Sequence, residues 1–246
     1  MRIKYKEPYW VKFEWEIDEH HDNQYVTRYD KYENRDITKF LLRSEYAITT
    51  SFKIKSHYKK DEISMIFGKP GKNLGLSYNE TTQTMAFEFW TDEQEGDKFY
   101  FIPLIDTTQK EIEDGLTITI ARKDNQFILY KNFKENNKIE FNGNLISDYC
   151  DNSLFIGCSS PECASDKHRY YCEMDISLFS IIMRTSNIDV IEDYLKESEI
   201  HVLPFKKCYD DILCYYDFKT VNNLDIIYDE SKHTNFLERV PKDFVL

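Results

Sequence analysis

The chain has 246 residues and a formal charge of −12, from 32 Lys and Arg against 44 Asp and Glu. An acidic surface repels phosphate backbones, so nucleic acid is not an expected partner. No apolar run approaches the ~18 residues of a membrane helix, so membrane insertion is not expected either.

Residues 9–17 alternate cleanly, with Tyr9, Val11, Phe13, Trp15 and Ile17 on one face and Trp10, Lys12, Glu14 and Glu16 on the other. Such period-two alternation is what a strand with one buried face requires. Residues 18–36 are strongly polar and read as a long excursion, with His20, His21 and Asp22 better explained as loop than as a transition-metal site. Residues 46–55 alternate again, and Ile63 to Phe67 is a short strand closed by Gly68-Lys69-Pro70-Gly71. Leu74 to Tyr78 and Thr84 to Trp90 predict a hairpin around residues 79–82, and Phe99 to Leu104 another strand. Leu116, Ile118 and Ile120 alternate with Thr117, Thr119 and Ala121, and Phe127 and Leu129 repeat the pattern after the turn at 123–126. A loop is expected next, then strands at 154–157 and 174–184. One helix is predicted over 187–198, with Ile188, Ile191 and Leu195 as its apolar stripe and Ser186 with Asp189 as an imperfect capping box. Short strands spaced by about 8–15 residues argue for an antiparallel sandwich.

The order and wording of residues 116–195 resemble the second half of a laminin-G-like, concanavalin A-like jelly roll. The matching pieces are Ile118 to Arg122, Leu129 to Asn132, Leu154 to Gly157, the strand Met174 to Arg184 and the helix Ile188 to Leu195. Met174 stands where that family prefers Gly. The fold class expected is therefore all-β, an antiparallel sandwich of the concanavalin A-like jelly-roll type with one short helix in the C-terminal half. The sandwich is expected over 1–200. Residues 201–246 are expected to form an extension packed on it, supplying an edge strand, in preference to a degenerate second unit, because no Gly/Ser/Pro linker separates them. Within this extension Tyr216-Asp217-Phe218, Asp229, Ser231 and Asn235 resemble the opening of a laminin-G-like domain.

Six cysteines occur, at 150, 158, 163, 172, 208 and 214. The charged start Met1 to Lys6 does not look like a secretory leader. The expectation is a chain made in the cytoplasm, with free thiols, that either stays intracellular or is released by lysis, as a protein of a virion surface would be. A Cys158–Cys163 disulfide would then form only in an oxidising medium. No CxxC pair supports zinc.

For catalysis, laminarinase-like members of this fold class carry ExDxxE on one strand, whose alternate residues share a face. Glu16-Ile17-Asp18 has His21 at the third acid, and Glu173-Met174-Asp175 has Leu178 there. Each lacks the general acid. No nucleophile elbow, phosphate loop or HExxH is present, and no enzymatic role is expected.

Calcium is the one cofactor the resemblance implies, at the rim of the sandwich. Asp225, Asp229 and Asn235 would be its ligands or loop-pinning residues; an Asx-turn accounts for the same residues without metal. Trp10 and Trp90 fall on the polar faces of their strands, and Tyr100 is expected to point outward with them. Exposed aromatics mark contact surfaces, so these three are the predicted ligand or partner contacts. The function expected is a non-enzymatic interaction protein docking on a larger assembly such as a phage particle, as an accessory protein. The alternative is a carbohydrate-binding or adhesion module for surface glycans.

Overall fold

The computed structural model describes residues 11–12, 25–27, 43–54, 63–68, 74–146, 154–157, 172, 174–199, 211–218, 226–227 and 237–239. In chain order the strands are β1 (Val11–Lys12), β2 (Tyr25–Thr27), β3 (Glu45–Ile54), β4 (Ile63–Gly68), β5 (Leu74–Asn79), β6 (Thr84–Glu93) and β7 (Gly96–Pro103). Helix α1 (Gln109–Asp114) precedes β8 (Leu116–Lys123), β9 (Gln126–Lys131), β10 (Lys134–Glu140), β11 (Asn144–Leu145), β12 (Phe155–Ile156) and β13 (Met174–Met183). Helix α2 (Ile188–Glu199) leads to β14 (Ile212–Asp217), β15 (Ile226–Ile227) and β16 (Leu237–Arg239).

These strands form two antiparallel sheets, so the chain is an all-β sandwich with two short helices. One sheet runs β1-β13-β3-β8-β9-β10, with β14 also paired to β13. The other runs β11-β6-β5-β4-β12-β2-β16-β15, with β7 paired to β6. The segment beyond residue 201 therefore supplies a strand to each sheet: β14 runs beside β13, with Phe179 opposite Tyr216, and β16 runs beside β2.

Alternation decides which side chains meet between the sheets. On β3, Tyr46, Ile48, Phe52 and Ile54 face inward, while Ala47, Thr49, Ser51 and Lys53 face the other way. Two hydroxyl pairs tie the outer faces of β3 and β8, Thr49 to Thr119 at 3.0 Å and Ser51 to Thr117 at 2.8 Å. A bulge in β13 between Ile176 and Leu178 resets the parity, so that Ile176 and Phe179 both reach the core.

The centre of the core is a ring cluster that joins the sheets. Phe127 of β9 packs 4.9 Å from Phe87 and 4.7 Å from Phe89, both on β6, and 5.3 Å from Phe141. A second apolar cluster lies on the outer face of the first sheet. There Ile191 and Leu195 of α2 cover Ala47, Ala121, Ile182, Ile212 and Tyr215.

Three expectations are corrected. The stretch after residue 133 is a strand, not a loop: β10 pairs with β9 along its length, from Lys134 opposite Lys131 to Glu140 opposite Gln126. Its sequence, Lys-Glu-Asn-Asn-Lys-Ile-Glu, lacks an apolar face because it is an exposed edge strand. Helix α1 was also not foreseen. It is held by a full capping box between Thr108 and Glu111, and Ile112 is its buried anchor. Finally, Asn187 caps α2, its side chain accepting from the Asp189 N–H at 3.0 Å. Ser186 instead donates to Glu45 at 2.8 Å.

Cys172 and Cys214 are buried in the core. The other four cysteines, and the Cys158–Cys163 pairing, lie outside the described residues.

Candidate functional site

Strand β6 sends Met85, Phe87, Phe89 and Thr91 into the core. Ala86, Glu88, Trp90 and Asp92 therefore line its outer face, since successive side chains of a strand alternate. On β7, Tyr100 and Ile102 are buried, which leaves Phe99 and Phe101 outside. The register places Phe99 opposite Trp90 and Phe101 opposite Glu88. The Trp90 and Phe99 rings lie 5.1 Å apart at 47°. Phe99 is 44% exposed and Phe101 48%, and Ile105, just past the strand, is 46% exposed. Single exposed apolar residues are ordinary, but rings grouped on one sheet face mark a contact surface.

Tyr100 does not point outward, contrary to the sequence expectation. Its ring stacks on Phe89 at 4.8 Å, and its hydroxyl donates to Glu93 Oε1 at 2.5 Å. That bond, helped by Lys98 at 3.3 Å, holds the Glu93 carboxyl below its ordinary range. The reason is parity. Phe99, Tyr100 and Phe101 are all aromatic, so composition alone cannot say which of them face water; the pairing with β6 does.

Glu88 is the polar member of this face. It is half-buried beside Trp90 and Phe101, and Ser77 Oγ donates to one of its oxygens. None of the ion pairs among the described residues involves Glu88. Burial raises its pKa, and the Ser77 bond offsets this only in part. Across the sheet its neighbour on β5 is Gly75, which has no side chain to cover it. A Cβ at Gly75 would meet Met65 Cε at 2.3 Å, so the Met65 side chain lies over that position.

The far border is a tight approach of the chain. Gly143 has φ +73°, and a Cβ there would stand 1.8 Å from the Asp92 carbonyl oxygen. The Asn144 N–H donates to Asp92 Oδ1 at 2.5 Å and the Ile146 N–H to the Trp90 carbonyl at 3.1 Å. The Trp90 backbone is thus fixed by β7 on one side and by this loop on the other, which sets the ring on a rigid base.

Of the residues singled out in the sequence, Trp90 lies on this face, half-buried. Trp10, Asp225, Asp229 and Asn235 lie outside the described residues. Among the described residues no group of three His, Cys, Asp or Glu could hold a metal ion. Of the glycosidase-like fragments, Asp175 is described: it is buried and pairs with Lys53 at 3.5 Å. Leu178 packs against the cluster under α2. Phe99, Phe101 and Glu88 were missed in the sequence. The only signal for them was the run Phe-Tyr-Phe-Ile facing the strand that holds Trp90.

Fold and surface together define an all-β sandwich with an aromatic, carboxylate-bearing face at one sheet edge. No family model matches the chain, and no curated protein is similar to it in sequence. Among solved structures, the fold is similar to that of a candidate carbohydrate-binding protein from Bacteroides ovatus, with 11% identity and a TM-score of 0.56 over 89% of this chain. The match spans 56% of that protein, so this chain corresponds to little more than half of its length. A looser likeness, at 12% identity and a TM-score of 0.48, is to the binding domain of botulinum neurotoxin DC in complex with rat synaptotagmin II. It covers 71% of this chain and 40% of that one.

Proposed function

We propose that this protein is a non-catalytic carbohydrate-binding module of the concanavalin A-like, jelly-roll kind, which holds a glycan on the outer face of β6 and β7. The observation that carries this reading is the aromatic group around the carboxylate of Glu88: Phe99 and Phe101, exposed to water, with Trp90 half-buried beside Phe99. Aromatic rings offer an apolar plate with large area and few torsions to freeze, suited to the C–H face of a sugar ring. A carboxylate among them accepts hydrogen bonds from the ligand and fixes its orientation. The likeness of fold to a protein described as a candidate carbohydrate binder agrees with this reading.

The second reading is docking of the same face on a protein of a larger assembly such as a virus particle. The exposed rings serve that role as well. The glycan reading is preferred because an apolar protein surface closing over Glu88 would strand a carboxylate without a partner, which is costly.

A glycan array probed with the whole chain tests the proposal. Binding should be confined to a class of glycans. It should fall at least about tenfold, roughly 1.4 kcal/mol, in Trp90→Ala and Phe99→Ala. Binding to no glycan, or binding indifferent to both substitutions, overturns it.

A further inference from the structure

Resting on the glycan reading, we propose that the sugar held by this face carries a protonated amino group, recognised by Glu88. The ligand class is then an amino sugar with a free amine, rather than a neutral or N-acetylated one.

Three observations converge on the charge. Glu88 is half-buried, yet among the described residues its only hydrogen-bond partner is the Ser77 hydroxyl, which leaves acceptor sites on the carboxylate unused. Among the described residues no ion pair involves it, and Lys98, on the neighbouring strand β7, is engaged by Glu93 instead. A carboxylate taken partly out of water without a counter-ion is an unusual arrangement, and an incoming ammonium group supplies what is missing.

The surroundings fit the same ligand. Phe101 stands directly across the strand pair from Glu88, and Trp90 follows two residues along on the same face. Ring faces carry negative quadrupole density and attract cations, Trp most of all. Rings with a carboxylate between them therefore suit a group that is both cationic and attached to an apolar ring face. The net charge of −12 favours the approach of such a ligand from solution. A neutral sugar could stack on the same rings, but its hydroxyls would gain less from Glu88 than an ammonium does, because charge-assisted bonds are about twice as strong.

The burial that raises the Glu88 pKa also sets the pH behaviour. Its charge is present above the raised value and lost below it. The preference for an amine must therefore disappear on acidification, while stacking on Trp90 remains.

Calorimetry on the full chain decides the matter, with three matched oligosaccharides: oligomers of glucosamine, of N-acetylglucosamine and of glucose. The pH is chosen slightly acid, so that the amine is protonated and Glu88 still ionised. The glucosamine oligomer should bind about tenfold more tightly than the other two, as one charge-assisted hydrogen bond supplies. Glu88→Gln should bring the three within about twofold of one another, the glucosamine oligomer losing the most affinity. If all three bind equally well through Trp90, the charge inference falls and the glycan reading stands. A preference that survives in Glu88→Gln, or that vanishes with added salt in the wild type, also overturns it, since general attraction to an acidic surface would then be the cause. Failure of any oligomer to bind, together with an empty glycan array, removes both readings.

Discussion

Glu88 links the chemistry of the aromatic face to the stability of the fold. Burial raises its pKa above the unfolded value, so the folded state binds the proton more tightly. Stability from this group is therefore full below the unfolded pKa and declines as pH rises through the raised one. Glu88→Gln cannot ionise, so its urea midpoint should gain on the wild type as pH rises across that window and level off above it. A constant gap between the two proteins across this range would show that Glu88 is as well solvated in the folded chain as in the unfolded one. Neighbouring residues show how far a single side chain could be read from the sequence. Trp90 was legible, because the apolar partners Phe87 and Phe89 alternate with it. Tyr100 was not, because its neighbours on both sides are aromatic and parity had to come from the pairing with Trp90 and Glu88.

At the scale of elements, the strands with one buried face were legible and the polar or short pieces were not. β3, β5, β6, β8 and β9 each put most of their large apolar side chains on one face, so their periods show, while β13 is apolar on both, between the core and α2. β10 carries almost none, because it lies at the sheet edge, where only Ile139 packs against the core. Its side chains do structural work instead: Asn137 Nδ2 donates to the Pro103 carbonyl at 2.8 Å, and Asn136 bonds both polar groups of the Ile105 backbone. These amides bridge the edge of one sheet to the edge of the other. Near β11, Gly143 is where a glycine is required, by its positive φ and by the approach of the Asp92 carbonyl. Gly143→Ala should push this loop off β6 and lower stability by more than about 1 kcal/mol, read from thermal or urea unfolding. It should also loosen Trp90, whose carbonyl accepts the Ile146 N–H, so glycan affinity should fall with it. A fully stable variant with unchanged affinity would mean that the loop adjusts at no cost.

For the whole molecule, the sheets are held together by rings more than by any polar contact. Phe127 meets Phe87, Phe89, Phe141 and Tyr46, at 4.7 to 6.4 Å, and is fully buried. Phe127→Ala should cost about 3–5 kcal/mol, the usual range for truncating a core aromatic. Urea unfolding would measure it, and a loss below about 1 kcal/mol would mean that the two sheets repack without this ring. Taken alone, the sequence determined the all-β class, the main strands, the helix over α2 and the outward place of Trp90. Each of these follows from local alternation of side chains, which is a property of the chain itself. Only the tertiary structure decided that Phe99 and Phe101 rather than Tyr100 face water, that Glu88 sits among them with no ion pair among the described residues, and that polar β10 is a strand. Those outcomes depend on register between strands far apart in sequence, and a shift of one residue exchanges the buried face for the exposed one.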